Sequence, residues 1–175
     1  LALNASASVK VASAWTLGKK ELMNRQILSN LFLAASFMSF TALCYLIVPG
    51  PILRLMTNNP EIIQSSISLL FVVAFFQIPD GIQVTLWGVL KGLKVARLPF
   101  LLTIIGHYLI GLPIGLYLAF SKGHQVEGLW IGLTVGLYIM ALGLGAILLH
   151  RLKTLSFPTP LKESKSAQEN ISQSE

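Results

Sequence analysis

From Ile27 to Val48 the chain carries no charged residue, and the run closes on Pro49-Gly50-Pro51. About twenty apolar residues in an unbroken block match the thickness of a bilayer's hydrocarbon core, so a block of this kind is predicted to cross a membrane as a helix. The pattern then repeats. Similar blocks occupy about 62–90, 98–120 and 128–149, and an apolar run over about 1–17 reads as the end of a helix whose start precedes Leu1. Charged residues make up only 11% of the chain against 54% hydrophobic, far below the roughly one quarter charged residues of a soluble domain. The predicted fold class is therefore all-α and integral to the membrane, a polytopic helix bundle over residues 1–153. A disordered tail rich in Pro, Ser, Lys, Glu and Gln is predicted over 154–175.

The polar connections carry the orientation. A basic loop is predicted after the first run, with Lys10, Lys19, Lys20 and Arg25, and a polar turn over 121–127. Of the 13 Lys and Arg residues, all but Arg54 and Lys122 fall on one side of the predicted bundle. Basic loops stay in the cytoplasm, so that side and the C-terminus are predicted to be cytoplasmic, with the chain in the plasma (inner) membrane. The same distribution argues against nucleic acid as a partner, because the positive charges form no single soluble face. Two glycosylation-type triplets, at Asn4 and Asn170, would face the cytoplasm and read as coincidence. Cys44 stands alone within an apolar block, where it reads as a small packing residue.

Asp80 is the one acid inside a predicted span. A carboxylate at that depth is costly, so it is expected to face a cavity or a partner and to carry a proton or a cation. Its other reading is a polar pin that holds helices together by hydrogen bonding. Gln77 and Gln83 flank it at three residues on either side, and with Trp87 they are candidate cavity-lining residues. Trp87 can equally be an anchor at the membrane interface. Pro79 lacks an N–H and so frees a carbonyl beside the acid. His107, in the next span, can relay protons or pair with Asp80, or sit neutral against nearby backbone. Pro113, with Gly111 and Gly115, is expected to bend its helix. Gly128, Gly132 and Gly136 recur every four residues, the spacing of close helix contacts in membranes. The sequence shows no phosphate-binding glycine loop, no His/Cys metal cluster and no nucleophile–base pair, so neither an enzyme nor a metal site or cofactor is expected.

Two stretches carry a family resemblance. The run from Ala74 through Gln77-Ile78-Pro79-Asp80-Gly81-Ile82-Gln83, followed by Gly88-Val89-Leu90-Lys91-Gly92-Leu93-Lys94, resembles the multidrug and toxic compound extrusion (MATE) family. There it is similar to the tenth helix and the basic loop after it. Gly111-Leu112-Pro113-Ile114-Gly115 and Glu127-Gly128-Leu129-Trp130-Ile131-Gly132 continue the pattern, and Ser8 to Ala12 resembles the end of helix eight. Lys10, Ala12, Lys91 and Val95 stand where the family more often has Arg, Gly, Arg and Asp.

The resemblance implies most of the C-terminal six-helix lobe of a MATE-type antiporter, from the end of helix eight to helix twelve. It implies export of small amphipathic or cationic substrates in exchange for Na⁺ or H⁺, with Asp80 matching the cation-coupling acid of the NorM-like branch. The expected partners are the lipid bilayer and an N-terminal lobe of the same protein, absent from this sequence. A non-transporting membrane fragment or scaffold is the alternative from another class. A lipid-linked sugar flippase is less favoured, since no Lys or Arg lies within a predicted span to hold a pyrophosphate.

Overall fold

The computed structural model describes residues 2–155. Helix α1 spans Ala2–Thr16, α2 Lys20–Ile47, α3 Pro49–Arg54 and α4 Pro60–Gly92. A continuous helical span follows over Arg97–Ser121. It is α-helical as α5 (Arg97–Ile104) and α6 (Leu112–Leu116) and opens into wider π turns over Ile105–Gly111 and Tyr117–Ser121. Helix α7 closes the set at Gln125–Thr154. Among the described residues four helices are long and apolar enough to cross a membrane: α2, α4, the Arg97–Ser121 span and α7. Of the tail predicted to be disordered over 154–175, Thr154 is instead the last residue of α7, and the part beyond Leu155 lies outside the described residues.

The helices outrun the apolar blocks. The predicted basic loop is largely helical: Lys10 lies within α1, and Lys20 and Arg25 within α2. Hydropathy senses the thickness of the apolar slab, whereas backbone hydrogen bonding continues wherever a helix still has something to pack on. For α2 that support is Met23 and Ile27, both buried. The polar turn after the third long span is likewise shorter than its composition suggests, because α7 already begins at Gln125. Pro49-Gly50-Pro51 does stop α2, but α3 restarts at once from Pro49. Proline is well tolerated in a first helical turn, where its missing N–H has no partner to lose.

The caps follow from the local sequence. Helix α1 ends where Gly18 takes φ +67°, with the Lys19 N–H on the Ala14 carbonyl and the Gly18 N–H on that of Trp15. This paired closure is the Schellman arrangement. Helix α4 ends the same way through Lys94, at φ 59°, whose ammonium stands 5.8 Å over the Trp15 ring. At its start, Asn59 Oδ1 accepts from the Glu61 N–H at 3.0 Å, and Pro60 occupies the first turn.

Helix α4 is the hub, packing against α1, α2 and α7. With 33 residues it is about 50 Å long, well beyond the roughly 30 Å of a hydrocarbon core. Two kinds of contact hold the bundle. At the end where α1 meets α2, a side-chain core forms from Val11, Met23, Val89, Leu90, Leu93 and Leu144 with their neighbours. Between the third long span and α7 the contact is backbone on backbone. A Cβ on Gly132 would stand 2.5 Å from the Gly111 carbonyl oxygen, and one on Gly128 would stand 2.6 Å from the Ala119 nitrogen. The outside is apolar: Phe32 and Leu142 are each 75% exposed. Such a surface is unstable in water and suits lipid.

Candidate functional site

Pro79 and Asp80 lie inside α4, about three turns from its C-terminal end. Pro79 is buried and Asp80 half-buried, and Gly81 beside them lets the Met38 side chain of α2 close in. A proline withdraws the N–H that would bond the carbonyl four residues back, which here belongs to Phe75. The structure supplies another donor. The Tyr138 hydroxyl of α7 donates to the Phe75 oxygen at 3.5 Å. One residue on, Phe76 meets Trp130 of α7 edge to face, with ring centroids 5.4 Å apart. Helix α7 therefore braces α4 immediately before the proline.

Farther along the same face of α4, a hydrogen bond reaches the Arg97–Ser121 span. The Trp87 indole N–H donates to Thr103 Oγ1 at 3.2 Å, and Thr103 in turn donates to the Pro99 carbonyl at 2.9 Å. This chain fixes the register of two antiparallel helices. Asp80 lies two turns from Trp87 on the same face of α4, and His107 lies one turn past Thr103 on the opposing span. The two are therefore offset by about 5 Å along the helix axes.

The π turn at Ile105–Gly111 shapes the wall that carries His107. Its end is marked by the Leu112 N–H reaching back five residues to the His107 carbonyl. Single π turns of this kind often mark functional positions. Two features allow it: Gly106 and Gly111 pack against the backbone of α7, and Pro113 cannot supply the next α-type bond. The His107 Nδ1 is buried without a hydrogen-bond partner. His107 lines a cavity of ≈ 370 Å³ together with Thr103, Tyr108, Leu112 and Leu133.

The residues singled out from the sequence thus fall into groups. Asp80, Gln77, Gln83 and Trp87 lie on α4, and His107 lies on the opposing wall with Thr103. Pro79 lies within the unbroken α4, and Pro113 lies in α6, between two π-widened stretches. Gly128, Gly132 and Gly136 line the seam that binds α7 to that wall. Among the described residues no group of three or more His, Cys, Asp or Glu could hold a metal ion.

Three polar contributors escaped the sequence reading. Tyr138 and Thr103 gave no signal, because one helix's periodicity does not say what stands opposite. Asn4 registered only as part of a glycosylation triplet, yet its Nδ2 donates to the Val84 carbonyl of α4 at 3.1 Å. Gly88 and Gly92 could have been found: their four-residue spacing lies in plain text, and both meet the backbone of α1, at Asn4 and Ser8.

Comparison with known proteins places this arrangement. The MatE family model matches residues 1–117. The chain is 33% identical to the probable multidrug resistance protein NorM of Mesorhizobium japonicum over 156 residues, which is 86% of this chain and 32% of that protein. It is 34% identical to the multidrug resistance protein NorM of Burkholderia vietnamiensis over 146 residues, covering 81% of this chain and 32% of the relative. The fold matches the crystal structure of the eukaryotic MATE transporter AtDTX14 with a TM-score of 0.76 at 23% identity, over 97% of this chain and 36% of that one. The chain spans about a third of the length of these relatives. With its apolar helices, its fold and its sequence in agreement, this integral membrane chain belongs to the MATE family.

Proposed function

We propose that the chain is the C-terminal part of an antiporter that exports drugs or metabolites in exchange for Na⁺ or H⁺, with Asp80 carrying the coupling cation. The observation that carries this reading is the half-buried carboxylate of Asp80 at mid-helix in α4, beside a proline and across from His107. An acid is retained at such a depth when binding a cation or proton there does work. The relatives named for multidrug resistance support drug export.

In this reading the remaining lobe of the transporter supplies the rest of the substrate path. Cation binding at Asp80 shifts the balance between the two access states by its differential affinity for them. The chain contributes transport and not enzymatic chemistry. Its basic connections and its C-terminus lie in the cytoplasm, and the host is the inner membrane; the support is the lopsided placement of Lys and Arg.

The test is gradient-driven efflux by the whole transporter carrying Asp80→Asn, in liposomes with Na⁺ and pH gradients imposed separately. Coupled efflux is expected to disappear while membrane insertion persists, and unchanged efflux would remove Asp80 from the coupling step. The orientation is read with single cysteines placed at Lys122 and Lys153 in a Cys44→Ala background. An impermeant thiol reagent added outside cells should label the first and spare the second.

A further inference from the structure

Where α4 and α7 begin, the structure holds another cavity, of ≈ 420 Å³. Ser65, Ser66 and Leu69 of α4 form one wall, and the turn from Gly123 to Glu127 that leads into α7 forms the other. In that turn Gly123 and Gln125 take φ of +74° and 46°, the left-handed region used where a chain reverses sharply. About 22 Å of α4 separates Ser65 from Asp80, so this cavity is no part of the mid-helix site. Its size falls within the range of small-molecule sites.

Among the described residues that line it, Glu127 is the one carboxylate and none is Lys or Arg. The Ser68 hydroxyl of α4 donates to Glu127 Oε1 and so holds the carboxylate between the two helices. A carboxylate offers about four acceptor positions, of which Ser68 takes one. Ser65, Ser66, His124 and Gln125 add hydroxyl, imidazole and amide groups to the walls, and Leu69 and Val126 add two apolar faces. The first turn of a helix favours an anion, and Glu127, in the first turn of α7, is already that anion. A second anion would meet its repulsion, so the cavity suits a cation. The flanking charges oppose one another: Glu61 lies one turn before Ser65 and Lys122 just before Gly123, and neither lines the cavity.

We propose that this cavity binds a small protonated amine. Its ammonium bonds Glu127 and the Ser65 and Ser66 hydroxyls, and its apolar body rests against Leu69 and Val126. An ammonium that carries N–H donors is favoured over a quaternary one, because carboxylate, hydroxyl and amide oxygens on the walls all accept. On the orientation proposed above, the cavity opens on the outer face of the membrane, away from the basic connections. The site is independent of Asp80.

The experiment is protection of a single cysteine, Ser65→Cys, in the whole transporter freed of other cysteines and purified in detergent. An uncharged maleimide labels the thiol, and phenethylammonium, phenethyl alcohol and phenylacetate are the competing probes. Phenethylammonium is expected to slow labelling, while the alcohol of the same shape and the anion leave it unchanged. Glu127→Gln keeps an acceptor for Ser68 and removes the charge. It is expected to raise the half-protecting amine concentration by about tenfold or more, the scale of a hydrogen bond to a charged group. Gln125→Lys adds a positive charge to the same wall, leaves the Ser68–Glu127 contact in place and is expected to abolish protection. It keeps the test decisive if Glu127→Gln disturbs the bundle.

Equal protection by all three probes would mean apolar binding only, and protection by phenylacetate would mean an anion site at the helix start. Either result overturns the proposal. So does a thiol that never reacts, which would show the cavity closed by the rest of the transporter. Asp80→Asn, run beside the others, locates the amine: protection lost there but kept in Glu127→Gln places it at the mid-helix acid and overturns the proposal. Coupled efflux by Asp80→Asn bears on the proposed function alone.

Discussion

The two halves of α7 are held by opposite means. Its first half meets the Arg97–Ser121 span through Gly128, Gly132 and Gly136, with backbone laid on backbone. Its second half enters a core of interlocking side chains, where Leu144 and Leu148 meet Leu86, Leu90 and Leu93. In a bilayer the lipid is as apolar as leucine, so burying side chains gains little from leaving water. Close van der Waals fit must do most of the holding. The seam achieves fit by removing side chains, and the core achieves it by interdigitating them. A seam has no slack, whereas a core can shift its rotamers and relax.

The largest expected effect breaks the seam. Gly132→Leu must drive its side chain into the Gly111–Gly115 backbone, and the bundle is expected not to assemble, read as lost monodisperse protein after extraction. Gly145→Leu, on the same helix but with nothing within 4 Å of its Cβ position, is expected to behave as wild type. If both variants are equally well folded, the contrast between seam and core disappears.

Leu90→Ala, in the core, is expected to lower stability by about 2–4 kcal/mol and still leave a folded protein. Thermal unfolding in detergent measures it. Smaller again is Asn4→Ala, which removes the α1–α4 hydrogen bond to Val84; interhelical bonds in membranes average about 0.6 kcal/mol. Thr103→Val keeps the side-chain shape and deletes the hydroxyl that accepts from Trp87, so its expected cost is about 0.5 kcal/mol. A larger loss there would mean that the Trp87–Thr103 link carries the helix pair and is more than a register mark.

The spans were legible because lipid imposes one rule along the whole chain: charge is excluded from the slab, and Asp80 is visible as the exception. Helix ends were not legible, because Lys20 and Arg25 leave the slab while staying in a helix that Met23 and Ile27 keep docked. The seam was half legible. The period of Gly128, Gly132 and Gly136 declares a flat face, but not that Gly106, Gly111 and Gly115 form its counterpart. The π turns had no readable signal, since the choice between four- and five-residue hydrogen bonding at Ile105–Gly111 depends on how α7 presses from outside. The Tyr138 clasp was hidden for a related reason. Pro79 announces a free carbonyl, while the identity of its new partner is decided by the register of α4 against α7.

The glycine seam also has a consequence at the level of the gene. Every single-nucleotide missense change in a glycine codon installs at least one carbon, and alanine is the gentlest outcome. At Gly128 and Gly132 even that carbon would overlap backbone of the facing span. Backbone, unlike a leucine tip, cannot rotate aside. Mutations in these codons should therefore behave almost like nonsense, while those in the Leu90 codon offer graded intermediates. A saturation library scored for surface expression should show the seam as a row of all-or-none positions spaced four apart.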